Sequence, residues 1–95
     1  MLCWLLNPKG LVIVKVVLYG TVGCHLCELA KQLLWPLVIQ YQYRLTEIDI
    51  AGDDNLLSRY GVRIPVLGSP AIARELNWPF SVRDAELFFA ELSDI

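Results

Sequence analysis

The sequence predicts an α/β domain in the order βαβαββα, a four-stranded mixed sheet covered by helices. Three observations carry that prediction: a β-branched apolar run ending at Gly20, a helically periodic segment beginning at Cys24-His25-Leu26-Cys27, and a hairpin-like stretch around Gly68-Ser69-Pro70 followed by a capped C-terminal pattern. Ninety-five residues leave no room for a second domain with its own core. We read residues 1–10 as an N-terminal extension and residues 11–95 as one domain.

Residues 11–19 are nearly continuous in hydrophobicity, as expected of a central strand buried on both faces. Lys15 interrupts the run; near the start of the strand it would reach water along its apolar stem. From Cys24 to Trp35, the positions Leu26, Leu29, Ala30, Leu33 and Leu34 recur at helical spacing, and Pro36 is expected to stop or kink the helix. Residues 43–50 alternate, with Tyr43, Leu45, Glu47 and Asp49 opposite Arg44, Thr46, Ile48 and Ile50, and read as a second strand with one partly solvated face. Asp53 or Asp54 is placed to cap a short helix over 55–60, with Gly61 in a left-handed closing position. Residues 63–67 and 71–75 are the hairpin strands. Ser81 and Asp84 form a capping-box pattern ahead of Val82, Ala85, Phe88, Phe89 and Leu92, which share one helical face. The first two strands, joined by a crossover, are expected to be parallel, and the hairpin supplies an antiparallel pair.

An apolar fraction of 56% against 19% charged residues is too hydrophobic for a disordered chain. Ten acidic and eight basic side chains give a net charge of −2, so there is no broad cationic surface for nucleic acid or anionic lipid. Residues 1–6 lack a basic flank for a secretory signal, and the apolar run at 11–18 falls short of the roughly 20 residues needed to span a membrane. Three cysteines are too few and too odd in number for a secreted disulfide scaffold. A monomer in the reducing cytoplasm is the expectation, and there a C-x-x-C serves catalysis or metal binding more often than it staples a fold.

Gly23 allows a sharp turn that sets Cys24 at the start of the helix, where unpaired N–H groups and the dipole favour a negative sulfur. Cys24 is therefore the candidate nucleophile, expected to have the lower thiol pKa of the pair. Cys27, three residues on along the same helix, is the candidate resolving thiol. The competing reading is a zinc or iron–sulfur site, which needs about four ligands, and only Cys3 and His25 remain to supply them within the chain. A metal shared between two chains stays open. His25 reads as a spacer that tunes the thiolate rather than a general base, and Leu26 as apolar cover for the sulfurs. Glu28 reads as an acid suited to the first helical turn, with a proton shuttle for Cys27 as the alternative. Trp78, Phe80, Phe88 and Phe89 read as core.

The element order, the segment Tyr19-Gly20-Thr21-Val22-Gly23-Cys24-His25-Leu26-Cys27-Glu28 and the later Arg63-Ile64-Pro65-Val66-Leu67 resemble the thioredoxin superfamily, most of all its small glutaredoxin-like proteins with a C-H-L-C motif. The resemblance implies a thioredoxin-like fold and a thiol–disulfide oxidoreductase acting on protein or low-molecular-weight disulfides. It implies no permanently bound cofactor, with glutathione as the candidate co-substrate. It further implies a cis Pro65 facing the sulfurs, so that His25, Leu26, Ile64 and Pro65 shape the substrate groove. The sequence departs from the W-C-G-P-C of thioredoxins, and Leu18 stands where they carry a buried acid. It also departs from the C-P-Y-C and Gly-Gly-acid features with which glutaredoxins hold glutathione: Arg63-Ile64-Pro65 and residues 77–81 occupy those regions. The rival from another class is a thioredoxin-fold binding or scaffold module, or an inter-chain metal or iron–sulfur carrier, without redox turnover.

Overall fold

The computed structural model describes residues 14–93, so the proposed extension at 1–10, Cys3 and the first residues of the leading strand lie outside the described residues. The elements follow the predicted order: β1 (Lys15–Gly20), α1 (His25–Tyr41), β2 (Arg44–Asp49), a 3-10 turn (Ile50–Gly52), α2 (Asp54–Tyr60), β3 (Val66–Ser69), β4 (Ile72–Asn77) and α3 (Val82–Ser93). The sheet runs β2-β1-β3-β4, with β1 parallel to β2 and antiparallel to β3, and β3 antiparallel to β4. Central β1 buries Val16 and Leu18 on one face but only half-buries Val17 and Tyr19 on the other, and Lys15 sits exposed at its first position.

One face holds the main core. Val16, Leu18 and Leu67 meet Ala30, Leu34, Leu37 and Val38 of α1 and Ala85, Phe88, Phe89 and Leu92 of α3, with Phe80 closing one side. Val82, expected on that face of α3, is half exposed. The capping box forms as read: the Asp84 N–H donates to Ser81 Oγ at 3.0 Å and the Ser81 N–H to Asp84 Oδ2 at 3.1 Å. On the opposite face a smaller cluster joins Ile50, Tyr60 and Val66, with Tyr19, Leu56 and Ile64 packed against it.

Several local expectations are corrected. Proline 36 neither stops nor ends α1, which continues to Tyr41. The ring removes the hydrogen bond to the Gln32 carbonyl, but Gln32 and Pro36 both lie on the exposed side, where water can satisfy that oxygen, while Leu34, Leu37 and Val38 anchor the other side. The helix closes at Gln42, which takes the left-handed conformation (φ 57°) usually given to glycine. Gly61 is instead right-handed (φ −52°), and its N–H donates to the Leu57 carbonyl at 2.9 Å. Glycine is needed there for close approach, because a Cβ would stand 2.5 Å from that oxygen. Asp53 is the cap of α2, its Oδ1 accepting from the Asn55 and Leu56 N–H groups. Residues 63–65 precede β3 rather than belong to it, and the hairpin turns at Pro70 and Ala71, with Gly68 and Ser69 still in the strand.

Candidate functional site

Gly20 ends β1, and the loop of Thr21, Val22 and Gly23 swings the chain into α1 with Gly23 at φ 80°, a left-handed conformation that a side chain disfavours. Cys24 is the N-cap of α1, in extended conformation, and its Sγ accepts the Cys27 N–H at 3.1 Å. The sulfur thus takes the role usually filled by a serine or aspartate oxygen, at the positive end of the helix dipole. Cys24 and Cys27 are joined by a disulfide, their Cα atoms 5.2 Å apart.

The two sulfurs differ in surroundings. Cys24 is half-buried, whereas Cys27 is buried and packs on Gly20 so closely that a Cβ added there would lie 2.6 Å from its Sγ. Glycine at position 20 is therefore a packing requirement of the dithiol as well as a strand end. Among the other residues expected near the sulfurs, His25 and Leu26 are exposed on the first turn of α1, and Val22 beside them is 90% exposed.

Register places the other side of the site. Tyr19 pairs with Val66 in the antiparallel β1–β3 ladder, so the next residue back along β3's approach, Pro65, comes to the end of the sheet beside Gly20. Pro65 is fully buried, and its carbonyl accepts the Trp78 N–H at 3.1 Å. The Ile64–Pro65 peptide bond is cis, as is Trp78–Pro79, where an ordinary boundary proline was expected. The Ile64 side chain is partly buried and packs against the cluster around Tyr60. Three of the Arg63 N–H groups are engaged: its Nε and Nη2 donate to the Arg59 carbonyl at 3.3 and 3.0 Å, and its Nη1 to Asn77 Oδ1 at 3.0 Å.

On the β2 side, a cavity of about 310 Å³ opens between the sheet and the start of α1. Gly20, Cys27, Glu28, Lys31, Glu47 and Asp49 are among its walls. Lys31 Nζ stands 2.9 Å from Glu28 Oε2 and 2.9 Å from Glu47 Oε2. The hydrogen bond with Glu47, then that with Glu28, holds the Lys31 ammonium above its ordinary pKa. Sequence reading singled out Glu28 but neither Lys31 nor Glu47 as site residues, because only the β1–β2 register brings Glu47, 16 positions on from Lys31, across to it. Among the described residues, no group of three or more His, Cys, Asp or Glu side chains is arranged to hold a metal ion. No described helix is long and apolar enough to cross a membrane.

A helix-capping dithiol at the end of the central strand of a β2-β1-β3-β4 sheet defines the thioredoxin-like class. Within that class, the family model described as Glutaredoxin-like domain (DUF836) matches residues 15–87, and the chain belongs to that family. Among solved structures, the chain is similar to the target protein XcR50 from X. campestris, at 36% identity over 84% of this chain and 97% of that one, with a TM-score of 0.62. It is similar to protein Ne2328 from Nitrosomonas europaea at 32% identity over 83% of this chain and 91% of that one, TM-score 0.70. The germline-specific thioredoxin Deadhead from Drosophila melanogaster shares the fold at 20% identity over 87% and 81% of the two chains, TM-score 0.54. No curated protein matches the chain.

Proposed function

We propose that this chain is a thiol–disulfide oxidoreductase working in a reducing compartment such as the cytoplasm, with Cys24 as nucleophile and Cys27 as resolving thiol. The observation that carries the reading is the asymmetry of the pair: a half-buried sulfur accepting a backbone N–H at the helix start, joined to a buried sulfur one turn deeper. That N–H and the helix dipole favour the Cys24 thiolate, which can attack one sulfur of an incoming disulfide and release the other as a thiol. Cys27 then attacks Cys24 Sγ, completing the internal disulfide and freeing the reduced substrate. His25 and Leu26 flank the point of attack, while Pro65 and the Ile64 backbone bound the groove from the β3 side.

The substrate is a protein or low-molecular-weight disulfide. Glutathione held by the usual glutaredoxin contacts is disfavoured, because Arg63-Ile64-Pro65 and residues 77–81 stand where glutaredoxins carry the residues that hold it. A glutathione-coupled assay run beside an ordinary glutaredoxin is expected to show weak turnover. The direct test is trapping: Cys27→Ser should accumulate a mixed disulfide on Cys24 in cell extract, and Cys24→Ser should accumulate none. Failure of Cys27→Ser to trap any partner, together with equal alkylation rates at the two sulfurs across the neutral range, would reject the assignment.

A further inference from the structure

Cys27 must lose a proton before its sulfur can attack Cys24, yet its side chain is only 6% exposed and lies against Gly20. Burial strips hydration from a thiolate and so works against ionisation. No acid or base is available from the adjoining strand, where Leu18 is the neighbouring inward residue, and the 21–23 loop carries no charge. The cavity of about 310 Å³ is where Cys27 meets titratable groups. Its size and polar walls suit several water molecules.

The charged walls come from two elements. From α1 come Glu28 and Lys31, the latter one full turn beyond Cys27 and so on the same side of the helix. From β2 come Glu47 and Asp49. Glu47 pairs with Leu18, and paired residues in a sheet point to the same face, which is the face α1 covers. Asp49 Oδ1 caps the 3-10 turn by accepting the Ala51 N–H at 2.9 Å, and this carboxylate stands apart from the Lys31 bridge. His25 is exposed on the first turn and is not a wall of the cavity. Lys31 bridges the two glutamates and is held in its charged form, so it has no lone pair to accept a proton. The acceptors held at the cavity wall by an ion pair are the two carboxylates that Lys31 bridges, Glu28 and Glu47, whose side chains are 61% and 54% exposed and so in reach of water.

We propose, on the dithiol reading above, that the Lys31-clamped carboxylates of Glu28 and Glu47 receive the Cys27 proton through cavity water while Cys27 resolves the mixed disulfide. The proton leaves the Cys27 thiol for water, which passes one to a carboxylate. The freed sulfur lone pair forms the bond to Cys24 Sγ. The bond between Cys24 and the substrate sulfur breaks, and its electron pair leaves as the substrate thiolate. The dithiol is oxidised by two electrons and the substrate disulfide reduced by two, and the carboxylic acid returns its proton to solvent or to the departing thiolate. Glu28 and Glu47 act through water and are positioning residues for the proton; Lys31 fixes where they stand.

The test is a single turnover with a neutral dipyridyl disulfide, in a Cys3→Ser background so that only the motif thiols react. The first thiopyridone released reports attack by Cys24, and the second reports resolution by Cys27. With both glutamates present, the second-phase rate should flatten as pH falls from about 8 to about 5, because transfer to a nearby acceptor does not require the thiol to ionise in advance. In Glu28→Gln/Glu47→Gln that limb should fall steadily with pH, and the rate near pH 6 should drop about tenfold, toward the low end of general-base effects because the transfer runs through water. The first phase should not slow, and Glu28→Asp/Glu47→Asp should restore part of the flat limb. A double Gln variant with an unchanged second phase, or one slowed equally at every pH, would overturn the proposal while leaving the dithiol reading intact. Absence of any first phase from Cys24 would overturn both.

Discussion

On the α1/α3 face of the sheet, Leu34, Phe88, Phe89 and Leu92 are sealed against Val16, Leu18 and Leu67, and no polar side chain is buried among the described residues. The α2 face is built differently. Tyr19 stacks on Tyr60 with ring centroids 4.1 Å apart, and the Tyr60 hydroxyl donates to Glu75 Oε2 at 2.5 Å. Arg63 lies 5.2 Å over the Tyr60 ring and 3.7 Å from Glu75 Oε1. The first face supplies apolar area and carries the helix that presents the dithiol. The second spends polar contacts on position, tying Tyr60 and Arg63, just before Pro65, to β4 at the sheet edge. The comparison teaches that bulk stability and the placement of the Pro65 loop are separable here, and substitutions should separate them.

The largest effect is expected on the apolar face. Phe88→Ala deletes a fully buried ring and should cost about 3–5 kcal/mol, read as a lower urea midpoint. A loss no greater than that of Tyr60→Phe would break the contrast. Next comes Gly20→Ala, at the junction of that face with the site. Its Cβ would lie 2.6 Å from Cys27 Sγ, so strand or sulfur must shift at a cost of about 1–3 kcal/mol, with slower Cys24–Cys27 oxidation measured by alkylation mapping.

Tyr60→Phe probes the polar face and should cost about 1 kcal/mol near neutral pH for the lost hydrogen bond. It also has a distinct pH signature. Burial, then the hydrogen bond with Glu75, pushes the Tyr60 phenol above its ordinary range. The unfolded chain ionises a tyrosine near pH 10, while folded Tyr60 resists, so its contribution is complete below about pH 10 and is lost as pH rises beyond. Urea midpoints compared at about pH 9 and pH 11 should fall further in the parent protein than in Tyr60→Phe. The smallest effect is Ser81→Ala, which removes one arm of the α3 capping box and should cost about 0.5–1 kcal/mol by thermal unfolding, with no change in Cys24 reactivity.

The features legible in the residues are those that act within about one helical turn. Cys24 and Cys27 at a helix start, Asp53 as a cap and the Ser81–Asp84 box all join residues no more than three positions apart, and they stand where they were read. The order of elements followed from periodicity, which reports each segment's own burial. Tertiary structure decided the remainder. Whether Pro36 ends α1 depended on which side of the helix its lost hydrogen bond faced, and so on where the core lay. Gly61 is glycine because of the Leu57 carbonyl and Gly20 because of the Cys27 sulfur, contacts that composition does not announce. The pairing of Lys31 with Glu47 needed the strand register that aligns Leu18 with Glu47. The sequence by itself determined the dithiol and the helix start on which it sits, because those lie in one short stretch of chain. Only the packed sheet decided which strand end lies beside them, and with it the acidic cavity at the buried sulfur, because cross-strand neighbours are set by register rather than by spacing along the chain.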